Sequence, residues 1–330
     1  MALLSAEGVS KVFAGRGVLR RTRPVYAVSG VSLTVGRGEA VGLVGESGSG
    51  KSTIGRLVLG LLPPTQGRVL LDGTDIAEPD GRRARRRRMQ LVFQDPYASL
   101  DPRRRIGAQV ADGLAIHRLA PVPERRARVE ALLDQVGLMP AHADHFPREF
   151  SGGQRQRVGL ARALAASPDF LVADEAVSAL DVSVQAQILA LFADLRTRLG
   201  LGLLFISHDL RVVRSLCDRV VVLYLGRVME EGPVREVMEQ PRHPYTAALL
   251  SASPSLDQAY RRVRILLQGD PPSPNNPPSG CVFRTRCPLA VAACAAAVPS
   301  LTAVGEGHHV ACLRTGEGPS LLERMLAKTQ

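Results

Sequence analysis

EAVGLVGESGSGKSTIGRLVLG, Glu39 to Gly60, decides the fold. Its first part, Glu39 to Gly45, is a continuous apolar run that enters a glycine loop, and Ile54 to Leu59 continues as an apolar helix. Strand, loop and helix in that order are the opening unit of a parallel α/β core. The loop obeys the pattern G-x-x-x-x-G-K-[ST] from Gly45 through Glu46, Ser47, Gly48, Ser49, Gly50, Lys51 and Ser52 to Thr53. Its glycines let backbone N–H groups turn inward around a triphosphate, and the helix N-terminus adds positive potential. Lys51 is placed to reach the β- and γ-phosphates, and the Ser52 hydroxyl to ligate Mg²⁺. Elsewhere the chain writes Arg almost everywhere; a Lys here implies that a slim point charge is required.

Outward from this unit, VSLTV (Val31 to Val35) and GRVLLDG (Gly67 to Gly73) read as short Gly-bounded strands of an antiparallel outer layer, together with VSKVF near the N-terminus. From about 95 to 167 the pattern turns helical, as in RRARVEALLDQVGL (Arg125 to Leu138), where Val129, Leu132, Leu133 and Val136 recur at helical spacing. The α/β pattern resumes with FLVAD (Phe170 to Asp174) and LGLLFISHD (Leu201 to Asp209), two buried strands separated by the helical stretch Ser183 to Gly200. A crossover helix between parallel strands fits them best. RVVVLYLGRVMEEG (Arg219 to Gly232) reads as a hairpin, and the Pro-rich GDPPSPNNPPSG (Gly269 to Gly280) as an extended connector to a small tail.

Two further segments carry chemistry. FLVADE delivers Asp174 to the carboxyl end of a strand, where a carboxylate can hold Mg²⁺, and sets Glu175 beside it as general base for an attacking water. FSGGQRQRVGLARALA (Phe150 to Ala165) opens a helix with Ser151, Gly152, Gly153 and Gln154, a second phosphate-binding device. One ATP needs only one such device. The second is therefore expected to serve the nucleotide of another subunit, with ATP held at a dimer interface.

With these segments the chain resembles the nucleotide-binding subunits of ABC transporters over about residues 3 to 235. The order is GESGSGKST, Gln94 in VFQDP, SGGQ (Ser151 to Gln154), FLVADE, SALD (Ser178 to Asp181) and His208 in ISHD. The resemblance implies a P-loop NTPase (RecA-like) α/β core with an antiparallel β subdomain and a helical subdomain at about 95–167, together spanning 1–238. It also implies that Gln94 senses Mg²⁺ and the membrane subunits, that Asp181 communicates across the dimer, and that His208 contacts the γ-phosphate. An aromatic residue stacking on adenine would be Phe13, with Tyr26 as the alternative. The family usually has Pro-Thr after the glutamate, where this chain has Ala176 and Val177, which puts local backbone rigidity in question.

HPYTAALL (His243 to Leu250), PPSPNNPPSGCVFRTRCPLA and HHVACL resemble the C-terminal extension of ATPases serving oligopeptide, dipeptide and, less often, nickel importers, here assigned to 239–330. Four of the five cysteines, Cys281, Cys287, Cys294 and Cys312, fall in the pattern C-x5-C-x6-C-x17-C; Cys217 reads as a small buried apolar side chain. Disulfides do not suit a reducing cytosol, and structural zinc favours C-x2-to-4-C pairs. Four thiolates fit a [4Fe–4S] cluster, which some members of this branch carry; zinc and ordinary reduced cysteines stay as alternatives.

Composition sets the outer bounds. With 330 residues, 45% of them apolar and 22% charged, the chain is neither fibrous nor wholly disordered. It has no run of about 18 apolar residues and no leader-like N-terminus, so the expectation is a protein on the cytoplasmic side of the cell membrane, attached through partners. Those partners are a second ATPase subunit, itself or a sibling, two permease subunits and an external substrate-binding protein. The net charge of +11 invites a nucleic-acid reading, but 39 of the 42 basic residues are Arg, and the run Arg82 to Arg88 reads as a solvated helix face, or else as a contact for an acidic partner. A soluble ABC ATPase acting on nucleic acid is the alternative; one cassette with an importer-type tail argues against it. A degenerate ATP-binding module is disfavoured because Lys51, Asp174, Glu175 and His208 are all present.

Overall fold

The computed structural model describes residues 2–15, 23–95, 97, 99–252 and 265–315; the remaining parts of the extension, 253–264 and 316–330, lie outside the described residues. Strands β1 (Ala2–Phe13), β2 (Val25–Gly36), β4 (Gln66–Leu71) and β5 (Thr74–Asp75) form an antiparallel sheet in the order β2-β1-β4-β5. A second, eight-stranded sheet is built around β3 (Ala40–Val44). On one side of β3 lie β8 (Gly202–Ile206), β7 (Phe170–Asp174) and β6 (Met89–Val92), all parallel; on the other lies β9 (Arg219–Tyr224), also parallel to it. β7 and β8 are direct neighbours joined over α6 (Val182–Leu199), the crossover arrangement that two buried apolar runs require.

Alternation along the central strands splits each between two cores. Leu204 and Ile206 of β8, with Val41 and Leu43 of β3, pack toward the antiparallel sheet and α1 (Lys51–Val58). Leu203 and Phe205, from the opposite face of β8, join the larger core formed with the helices. Residues 95–167 hold α3 (Ile106–Ile116), α4 (Val122–Gln135) and α5 (Gly152–Leu164), with no strand among their described residues. Val129, Leu133 and Val136 are buried against this group, and Leu132 packs partly against it.

Two features differ from the sequence reading. The arginine run forms the expected helix, α2 (Arg82–Arg88), exposed at Arg82, Arg83 and Arg86, but the reading missed its inner side, where Arg85 is buried and Arg88 pairs with Asp72 and Asp169. The extension is also no detached tail. Beyond the Pro-rich connector the chain returns as β11 (Thr302–Gly305) and β12 (His308–Val310), and β12 pairs antiparallel with β10 (Arg227–Pro233), so both become strands of the central sheet. Strands of three and four residues carry too little alternation to be read locally; their edge pairing selects them.

Beneath that junction sits Glu230, fully buried on β10. Its carboxylate accepts the backbone N–H groups of Arg242 (2.7 Å) and His243 (3.0 Å) and meets His308 Nε2 at 2.8 Å. One buried carboxylate thus ties β10, the chain entering α9 (Pro244–Ala252) and β12 together.

Candidate functional site

Gly45 to Gly50 connect β3 to α1 in a geometry only glycine permits at two points. Gly45 has φ 151°, and a Cβ there would stand 2.1 Å from the Leu223 carbonyl; Gly50, at φ 103°, would meet the Ala27 carbonyl at 2.4 Å. Ser47 and Gly48 form the exposed tip, and Ser49 is buried, its carbonyl accepting from Gly226 N at 2.9 Å. Lys51, the first residue of α1, donates through Nζ to the carbonyls of Gly45 (2.7 Å) and Glu46 (2.8 Å). Burial draws its ammonium below the usual range, against the upward pull of Glu175, Asp174 and Glu46. Ser52 and Thr53 follow on the first turn of α1.

The neighbouring parallel strands bring the other groups to the same end of the sheet, where α/β folds place ligands. The Ser52 hydroxyl donates to Asp174 Oδ1 (3.0 Å) at the end of β7. Burial pushes the Asp174 carboxyl up; the Ser52 bond opposes this and the Glu175 charge adds to it. Glu175, the next residue, receives Gln94 Nε2 on one oxygen (2.9 Å) and faces His208 Nδ1 from the other (3.5 Å). Gln94 lies two residues past β6 and His208 two past β8.

Glu175 itself adopts a left-handed backbone, φ 48°, which costs a non-glycine residue about 1–2 kcal/mol. The surroundings hold it there without the family's Pro-Thr. Its N–H donates to the Ile206 carbonyl (3.0 Å), its own carbonyl accepts from Ser178 Oγ (2.9 Å), and Ala176 and Val177 are buried in the core. Core packing and the Ser178 bond supply the rigidity that the sequence had put in question.

The remaining candidates stand apart from this cluster. Ser151 caps α5: its hydroxyl accepts from Gln154 N (3.3 Å), while Gln154 Oε1 accepts from Ser151 N (2.9 Å), leaving Gly152 and Gly153 to open the helix. Asp181 caps α6, accepting from Val184 N (3.0 Å), and this bond with that of Ser183 holds its carboxyl below the ordinary range. Within one chain neither group bonds to the glycine loop. Phe13, at the end of β1, is 39% exposed with Lys11 Nζ over its ring, and Tyr26 on β2 is similarly exposed.

Two residues at the loop escaped the sequence reading. Tyr245 Oη accepts the Glu46 N–H (2.8 Å), and Arg286 Nη1 donates to Glu46 Oε2 (2.8 Å). Both belong to the extension, and the tyrosine of HPYTAALL was the only local signal.

The four tail cysteines line one small apolar cavity of about 20 Å³, with His243, Phe283 and Leu289 among its walls. The four sulfurs share one cavity, the donor set that the expected [4Fe–4S] or zinc centre would use, although among the described residues no group of three or more His, Cys, Asp or Glu stands close enough to hold a metal ion. Burial pushes the thiols of Cys281, Cys287 and Cys312 up, Cys287 to about 12, so that they stay protonated. Cys217, away from this group, is buried, as its apolar neighbours implied.

Fold and site together define a P-loop ATPase. A sequence model of the family described as ABC transporter matches residues 28–178, and one described as oligopeptide/dipeptide transporter, C-terminal region, matches 229–294. The chain is 47% identical to the oligopeptide transport ATP-binding protein AppF of Bacillus subtilis, over 94% of this chain and 96% of that protein. With the dipeptide transport ATP-binding protein DppF of Haemophilus influenzae the identity is 46%, again over 94% and 96%. A dimeric ATP-binding cassette in a post-hydrolysis state, bound to ADP and phosphate, superimposes with a TM-score of 0.62 at 32% identity, covering 70% of this chain and 99% of that one. The chain belongs to the ABC transporter family, as an ATP-binding subunit with the oligopeptide/dipeptide-type C-terminal region.

Proposed function

We propose that this subunit hydrolyses ATP to energise import of di- or oligopeptides through partner permease subunits, docked at the cytoplasmic face of the membrane. The observation that carries the reading is the meeting of Lys51, the Ser52–Asp174 pair and the Gln94–Glu175–His208 group at the carboxyl ends of adjacent parallel strands. Among the described residues no helix is long and apolar enough to cross a membrane, so transport falls to partner chains.

Residues Gly45 to Thr53 wrap the triphosphate, with Lys51 turning from the loop carbonyls to the β- and γ-phosphates. Ser52 and Asp174 are hard oxygen donors suited to Mg²⁺, with Gln94 completing the set. The ion, when bound, neutralises phosphate charge as the bond to the leaving group breaks. Glu175 accepts a proton from the attacking water, and His208 stands across from it to contact the γ-phosphate. Phe13 stacks on the adenine. Ser151 to Gln154, unused within their own chain, close on the nucleotide of a second ATPase subunit, and Asp181 faces that subunit. Cys281, Cys287, Cys294 and Cys312 would hold a metal centre, a [4Fe–4S] cluster by the donor set, with zinc as the alternative; binding would release the thiol protons and draw the sulfurs together.

Vesicles carrying the permease subunits and this chain should take up labelled peptides only with ATP, and not with Lys51→Ala; peptide-independent turnover with no uptake would sink the transport reading. Iron, sulfide and zinc content of protein purified without oxygen decides the thiol site. About four irons and four sulfides per chain support the cluster, and no metal at all removes it.

A further inference from the structure

The extension reaches into the nucleotide site through one residue, Glu46. All three of its polar groups are engaged: the carbonyl by Lys51 Nζ, the N–H by Tyr245 Oη, and the carboxylate by Arg286. Two of these three partners come from the extension, 199 and 240 positions away.

Arg286 is presented rigidly. It stands in the short loop from Cys281 to Cys287, which is pinned by Cys281 N to the Cys294 carbonyl (2.8 Å) and Arg286 N to the Phe283 carbonyl (3.0 Å). Phe283 in turn wedges against Tyr224 and Tyr245, ring centroids 5.3 Å from each. The Arg286 side chain is only 10% exposed and that of Glu46 26%, so the pair is shielded and the guanidinium loses little freedom in forming it.

A carboxylate in a loop built to wrap a triphosphate is an electrostatic liability. Unpaired, it would repel the ligand across a partly dry site. We propose that Arg286 is a positioning residue for nucleotide binding: it cancels the Glu46 charge and, with Tyr245, holds the phosphate loop in its ligand-ready shape, so that the extension sets the affinity for MgATP. This rests on the nucleotide site proposed above; a wild-type chain that bound no MgATP would refute that site rather than the role of Arg286.

The test is a steady-state comparison on the full chain. Arg286→Ala should raise the KM for MgATP about ten-fold, the scale of exposing one half-buried carboxylate, with kcat within about two-fold. Adding Glu46→Gln to Arg286→Ala should bring KM back to within about three-fold of the wild type, because the uncompensated charge is gone. Arg286→Lys, which keeps the cation, should fall between. A KM that does not move, a loss confined to kcat, or a rise that Glu46→Gln leaves in place would overturn the proposal, since a merely structural arginine is not rescued by neutralising its partner. If Arg286→Ala does not fold, Arg286→Gln replaces it with the same expected rise and rescue, and failure of that variant to fold even alongside Glu46→Gln counts against the proposal too.

Discussion

Glu230→Ala tests whether the extension is part of the central fold. The carboxylate it removes is fully buried and serves three donors: the N–H groups of Arg242 and His243, and His308 Nε2. Each donor left unsatisfied costs about 1–3 kcal/mol, and the sum is offset in part because a charge no longer has to be buried. The net loss expected is about 3–5 kcal/mol, the range for breaking a buried pair from one side. For a chain of this size that corresponds to a fall in Tm of about 4–7 °C. Glu230→Gln, which keeps one acceptor oxygen and the side-chain volume, should lose roughly half as much. Differential scanning calorimetry at neutral pH reads both. Loss should begin at the β10–β12 junction, so brief proteolysis below the melting range should release fragments cut in the extension before the rest is attacked. A Tm within 2 °C of the wild type for Glu230→Ala would refute the argument, because three orphaned buried donors cannot be that cheap.

Glu175→Gln preserves the side-chain shape but cannot take the proton, so single-turnover hydrolysis should slow by about 10²–10⁴-fold while MgATP binding, read by equilibrium dialysis, persists; normal turnover would displace Glu175 as the base. His243 supplies a pH dependence. Fully buried, and hydrogen-bonded through Nδ1 to the Tyr245 N–H (3.0 Å), its imidazole is drawn down to about 3. The unfolded chain therefore takes up this proton first, so the stability is complete above about pH 6.5 and is lost as pH falls toward 3. Between pH 7 and pH 5 denaturant titrations should show about 2 kcal/mol of loss from this group, with a shallower slope in His243→Gln; equal slopes would show that the ring is not held neutral.

Where the chemistry is contiguous, it is legible from the residues. Gly45 to Thr53 announce themselves because the dihedral angles, the helix start and the ligating side chains all fall within nine positions. The same holds for the cap of α5, where Ser151 and Gln154 bond reciprocally three residues apart. Asp174 and Glu175 are legible because an apolar strand has one carboxyl end, though not the left-handed backbone at Glu175, which depends on the Ile206 carbonyl across the sheet. The arginine run shows the opposite limit: its composition suggests solvent, yet Arg85 is buried and Arg88 bridges Asp72 and Asp169.

By itself, then, the sequence determined the α/β core, the phosphate loop and the acids that flank it, because hydrophobic period and local glycine geometry act over a few residues. It also marked four cysteines as a group through their spacing. Only the tertiary structure decided that β11 and β12 complete the central sheet, that Glu230 ties them to α9, and that Arg286 and Tyr245 grip Glu46. Those contacts join residues up to 240 positions apart, and a pairing selected by burial and charge across such a distance leaves no periodic trace in the chain.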